Sequence, residues 1–258
     1  MQQTINLIFP KSWGELTDKQ LLFLFTLLAD GYPATDIKVK CLLKWTGLHV
    51  VHAMGDGLSV SGYWLLRHNR STITTPHARE FVVSAQQIAE ALSMIDWLDE
   101  LPQQPVRIER YRRHRALAAD FDGVPFEKFL YCDNLYQGYL QTQDETLLDL
   151  MGNVLYDCKV KAFPSPFRIA LFYWFASLKQ YFARTFPHFL QPTANTDTNL
   201  LGSSIQPREA MNAQIRALTK GDATKEKDVL ALDTWRALTE LDAQAKEYEE
   251  LNKKYPSK

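Results

Sequence analysis

Pro166-Phe-Arg-Ile-Ala-Leu-Phe-Tyr-Trp-Phe-Ala-Ser-Leu-Lys-Gln-Tyr-Phe-Ala-Arg-Thr-Phe-Pro187 is the stretch that decides the fold class. Phe167, Leu171, Phe175, Leu178 and Phe182 recur three and four residues apart, which puts them on one face of a helix. Pro166 suits the first turn of that helix and Pro187 lies at its end. The apolar run from Ile169 to Leu178 is interrupted by Ser177 and flanked by Arg168 and Lys179. A membrane span needs about 20 apolar residues, so the spacing predicts a buried core helix. A row of rings at this spacing reads as packed core before it reads as a ligand pocket.

Helical signals extend outward in both directions. Upstream, Pro125-Phe126 starts a helix carrying Phe129, Leu130, Leu135, Tyr136 and Tyr139, and Thr142 or Gln143 opens another through Leu147, Leu148, Met151 and Leu155. Near the N-terminus, Thr17-Asp-Lys-Gln20 has the capping-box pattern and leads into Leu21–Leu28, with a stop at Asp30–Pro33. A second helix is expected from about Thr35 to Trp45, ending at Gly47. Ser84-Ala-Gln-Gln87 repeats the capping box before Ile88, Leu92, Ile95 and Leu98. Only between Leu58 and Val83 does the period change. Tyr63–Leu66, Thr72–Thr75 and Phe81–Val83 predict two or three short strands, read as a small β-hairpin near residues 58–83.

Downstream, a polar spacer rich in Thr, Asn, Ser, Gly and Pro covers residues 192–207. After it, Met211, Ile215 and Leu218 line one helix that Gly221-Asp222 ends. A second is expected from Thr224 to about Lys254, with Leu232, Trp235, Leu238, Leu241, Ala245, Tyr248 and Leu251 as its apolar stripe; at 1.5 Å per residue it would be roughly 45 Å long. The expected organisation is mainly α: a helical body over residues 1–191, a linker over 192–207 and a C-terminal helical arm over 208–258. That stripe must be covered either by the chain's own body or by another molecule. A 16-residue spacer is longer than most helix–helix connections within a domain, which keeps the second reading open beside the first.

The chain has 258 residues, 46% of them hydrophobic, and a formal charge of −1 from 29 basic and 30 acidic residues. This supports a sizeable core and gives no whole-chain attraction to nucleic acid or anionic lipid. The first ten residues lack the basic start of a signal peptide. Cys41, Cys132 and Cys158 have no disulfide-framework spacing. A cytoplasmic protein without membrane association is expected.

Motifs for common chemistries are missing. Val60 stands where a dinucleotide fingerprint begun at Gly55-Asp-Gly57 needs glycine, and no phosphate loop, nucleophile elbow, His-Glu-x-x-His or zinc-spaced cysteine pair occurs. That argues against the common motif-bearing enzymes, not against every enzyme. His49, His52 and Asp56 would share a face if helical, but Gly47, Gly55 and Gly57 bracket them and favour turn or surface residues. No catalytic, cofactor-binding or metal-binding residue is assigned. In Arg107-Ile-Glu-Arg-Tyr-Arg-Arg-His-Arg115, Arg107, Arg110, Arg112, Arg113 and Arg115 form a basic segment suited to phosphates, with Tyr111 available to stack on a base. Asp96, Asp99, Glu100, Asp120 and Asp122 lie close enough in sequence to neutralise it.

Val124-Pro-Phe-Glu-Lys-Phe, Asp133-Asn-Leu-Tyr-Gln-Gly-Tyr, Phe172-Tyr-Trp-Phe, residues 210–222 and Thr234-Trp-Arg-Ala-Leu-Thr-Glu-Leu241 resemble a group of uncharacterised proteins from Bacteroidetes prophages, over most of the chain and most closely after Val124. The resemblance implies a place among late structural genes, where tail-assembly chaperones and other assembly factors occur. The leading expectation is a non-enzymatic assembly or protein-interaction protein of a phage-like element. Leu232, Trp235, Leu238, Leu241 and Tyr248 would bind a protein partner or a second copy, with Trp235 as the anchor. The alternative is a nucleic-acid-binding accessory protein that uses Arg107–Arg115.

Overall fold

The computed structural model describes residues 8–54, 57–63, 78–190 and 207–254, and the chain falls into two compact units, residues 1–100 and 101–258. It is mainly α-helical, with nine α-helices among the described residues.

The first unit begins with a helical hairpin, α1 (Asp18–Ala29) and α2 (Ala34–Thr46). The predicted capping box forms: Thr17 Oγ1 accepts the Gln20 N–H at 3.4 Å, and Gln20 Oε1 accepts the Thr17 N–H at 2.9 Å. Gly47 closes α2 at φ 71, a left-handed conformation that suits glycine. An antiparallel meander follows: β1 (Leu48–Met54), β2 (Gly57–Tyr63) and β3 (Ala78–Ser84), in the order β1-β2-β3. The second capping box, Ser84 with Gln87, turns β3 directly into α3 (Ala85–Ser93). The expected hairpin is thus part of a sheet that starts ten residues earlier, at Leu48. Of the other expected strand segments, residues 64–66 and 72–75 lie outside the described residues. Leu21, Leu24, Phe25, Ile37, Cys41 and Ile95 fill this unit's core. The Trp13 indole N–H is shared between the carbonyls of Trp97 and Glu100, each at 3.0 Å, tying the last residues of the unit to its first turn.

The second unit carries a two-stranded ribbon, β4 (Arg110–Tyr111) and β5 (His114–Arg115), then α4 (Phe126–Thr142), α5 (Glu145–Leu155) and α6 (Ser165–Thr185). The stretch that opened the sequence reading is α6, and its five stripe residues are all buried. Around Phe175 stand the rings of Phe121, Phe129 and Tyr136, at 6.2, 6.2 and 5.2 Å between centroids. Burial pushes the Tyr136 hydroxyl up to about 12. One charged group enters this core. Asp149, on α5, accepts the Phe163 N–H at 2.8 Å and a two-pronged bond from Arg168 at 2.9 and 2.7 Å, which satisfies the buried carboxylate.

The C-terminal helices are α7 (Pro207–Thr219), α8 (Glu226–Leu230) and α9 (Thr234–Lys254). The spacer at 192–206 lies outside the described residues, and Pro207 is the first residue of α7. The single helix expected from Thr224 to Lys254 is broken at residues 231–233. The physical reason is a competing set of backbone bonds. Leu232 O accepts the Phe126 N–H at 2.7 Å, and Val124 O accepts both the N–H and the hydroxyl of Thr234, at 2.9 and 2.7 Å. Those groups cannot also serve a continuous helix. At 21 residues, α9 is roughly 32 Å long. The arm belongs to the second unit and is not a separate attachment.

Candidate functional site

Three of the five stripe residues expected to hold a partner, Trp235, Leu238 and Leu241, pack against the chain itself. Leu238 is fully buried and Leu241 nearly so. The Trp235 ring sits 5.9, 5.6 and 5.5 Å from those of Tyr181, Phe182 and Phe186, and its indole N–H donates to Asp120 O at 2.8 Å. Leu232 is half-buried. The partner-binding expectation for Leu238 and Leu241 is therefore corrected, because side chains buried in their own core have no surface left for a second molecule, while half-buried Trp235 keeps part of its ring at the surface and packs the rest against its own unit. Further along α9, Asp242 Oδ1 accepts the backbone N–H groups of His188 and Phe189 at 2.8 and 2.9 Å, and Glu249 meets His188 Nδ1 at 3.1 Å. His188 is thus part of a strut that holds α9 against the end of α6. Tyr248 keeps 67% of its surface exposed and Leu251 keeps 57%.

A second set of residues, which shares Leu232 with the stripe, lies between α9 and its neighbours. Leu218, Val229, Leu232, Arg236, Thr239 and Glu240 line an open groove of about 460 Å³ among α7, α8 and α9. Its lining joins three apolar side chains to a threonine, one guanidinium and one carboxylate. Arg236 makes no ion pair among the described residues, while Glu240 accepts a hydrogen bond from Gln244 at 3.0 Å. Arg236, Glu240, Glu247 and Leu251 follow one another by four, seven and four residues, so they lie along one line of α9. That line joins the groove to the exposed helix end across 15 residues, roughly 22 Å. Leu232 and Leu251 already belong to the apolar stripe legible in the sequence; the charged residues between them do not. The spacings of four and seven from Arg236 through Glu240 to Glu247 are the signal that places them on one line.

The basic segment is a β-hairpin. Arg110 pairs across from Arg115 and Tyr111 from His114, with Arg112 and Arg113 in the two-residue turn. Tyr111 points inward, 4.6 Å from both Phe163 and Phe167, so it is not available to stack on a base. Arg107 is also held inward, 6.0 Å over Trp174 and 3.8 Å from Glu109. Arg110, Arg112, Arg113 and Arg115 are exposed. Some of the acids expected to neutralise them have partners of their own. Asp96 and Asp99 both bind Lys38, and Asp120 Oδ1 accepts the Asp122 N–H at 3.2 Å. Glu109 reaches the hairpin, at 2.9 Å from Arg115.

His49 and His52 lie on β1, opposite Ser61 and Ser59, with a bulge between Val50 and His52. The helical face considered for them with Asp56 does not exist, and Asp56 lies outside the described residues. The three cysteines are buried thiols. Burial raises the Cys41 thiol to about 12 and pushes Cys132 up as well, which suits packing and not nucleophilic chemistry. Among the described residues, no helix is long and apolar enough to cross a membrane. No family model, curated protein or solved structure matches the chain.

Proposed function

We propose that the chain is a non-enzymatic, cytoplasmic assembly protein of a phage-like element, of the tail-assembly-chaperone kind, that receives an amphipathic segment of a structural protein along the outer line of α9. The observation that carries the reading is the continuity of that line. A groove lined in part by Leu218, Val229 and Leu232 stands at one end and exposed Leu251 at the other. Between them Arg236, Glu240 and Glu247 leave one positive and two negative charges. A partner helix with apolar side chains at both ends and mainly basic residues between them complements that pattern. The mechanism differs from the one the stripe suggested: the arm is fixed on its own unit and offers a cradle, and the partner supplies the loose segment.

The test is co-purification of the full-length chain from cells expressing the element's structural genes, with Leu218→Glu and Leu251→Glu as disruptors. Both positions are part-exposed or exposed, so the variants keep the wild-type melting temperature within a few degrees. Recovery of a tail or capsid protein falls at least tenfold in each variant. Equal recovery by the folded variants and the wild type contradicts the reading.

A further inference from the structure

From the hairpin at residues 110–115 we infer a second binding function, independent of the α9 cradle: it is a sequence-independent contact for the phosphate backbone of duplex DNA. Strand alternation sorts its side chains by face. Tyr111 lies on the inner side, wedged among Tyr156, Phe163 and Phe167 at 6.5, 4.6 and 4.6 Å, and this anchors a ribbon otherwise too short to hold itself. Arg110 and Arg115 form the neighbouring cross-strand pair and are exposed, as are Arg112 and Arg113 at the tip. Arg110, Arg112 and Arg113 have no ion-pair partner among the described residues, and segment 107–115 holds five arginines against one glutamate.

The turn itself is unusual. Arg112 sits at φ 54, a left-handed backbone that two-residue hairpins ordinarily give to Gly, Asn or Asp. Its guanidinium stands 5.4 Å over the Tyr111 ring, which orients the charge at the tip.

Among polyanions, the shape favours DNA. A two-stranded ribbon fits the roughly 12 Å major groove of B-form DNA, whereas the major groove of duplex RNA is too deep and narrow for side chains to read. Guanidinium forks match phosphate oxygens on either wall. The hairpin has no exposed apolar side chain to insert among lipids.

The experiment is fluorescence anisotropy of the full-length chain with a labelled 24-base-pair DNA duplex between about 50 and 200 mM salt. Three to four phosphate contacts give a slope of log affinity on log salt near −3, a loss of roughly 60-fold over that range. The double substitution Arg112→Gly with Arg113→Ser relaxes the turn, preserves folding, and flattens the slope by about 2. Absence of DNA binding at 50 mM salt overturns the inference. So does an unchanged slope in the double variant, equal affinity for a duplex RNA of the same length, or binding to phosphatidylserine vesicles without binding to DNA.

Discussion

Replacing Trp235 with Ala separates an arm that is core from an arm that is an attachment. The substitution removes a ring that lies against Tyr181, Phe182 and Phe186 and an indole bond to Asp120 O at 2.8 Å. A fully buried Trp→Ala change costs about 3–5 kcal/mol. Trp235 is only half-buried, and water can replace its bond to a carbonyl, so the lower end applies, about 3 kcal/mol. For a unit the size of residues 101–258 this lowers the melting temperature by roughly 6–12 °C. Thermal and urea unfolding of the full-length chain, followed by near-ultraviolet circular dichroism, reads the change. Tyr248→Ala on the same helix removes an exposed ring and shifts the midpoint by less than about 2 °C. A Trp235→Ala protein that melts with the wild type would refute the placement of α9 in the core.

Gly152 faces Phe163 and Leu171, and an added Cβ would stand 2.6 Å from one and 2.7 Å from the other. Gly152→Ala therefore destabilises by about 1–2 kcal/mol in urea titration, even though alanine is the better helix former, because overpacking outweighs the propensity gain. Asp149→Ala leaves the Arg168 guanidinium, 16% exposed, without its main carboxylate and the Phe163 N–H without an acceptor; the loss is about 3 kcal/mol. A double-mutant cycle with Arg168→Met recovers at least about 1 kcal/mol of it as coupling. Hydrogen bonds to Asp96 and Asp99 raise the pKa of Lys38 above its ordinary value. Its stabilising contribution is complete below the unfolded pKa of about 10.4 and is lost as pH rises through the folded pKa, so the first unit weakens on the alkaline side. Lys38→Met flattens that alkaline limb in a series of melting curves.

Where local physics decides the outcome, the fold is legible in the sequence. Both capping boxes form, Gly47 ends α2, and the ring stripe of α6 is buried from Phe167 to Phe182. What escaped was decided by partners distant in sequence. The break between α8 and α9 comes from bonds to Val124 and Phe126, more than a hundred residues away. No breaker residue marks it: Leu232 and Thr234 fit the helical period, and Asp233 gives only a weak signal by capping Arg236 at 3.2 Å. Strand β1 escaped because Leu48–Met54 mixes apolar residues and histidines without clean alternation, and its pairing across a bulge is visible only with β2 in place. The stripe on α9 was correctly seen as needing cover, but a stripe alone does not say what covers it. The hairpin arginines are legible as a basic segment, while the inward turn of Tyr111 and Arg107 depends on Phe163, Phe167 and Trp174, which lie about fifty or more residues away.

Backbone hydrogen exchange of the full-length chain, alone and with a co-purified structural partner, tests the central claim most directly. The account predicts slowed exchange in α8, the C-terminal end of α7 and the outer line of α9 from Arg236 to Leu251, with no change at residues 110–115. Protection confined to other elements, or none in α7–α9, would contradict the cradle and with it the proposed function.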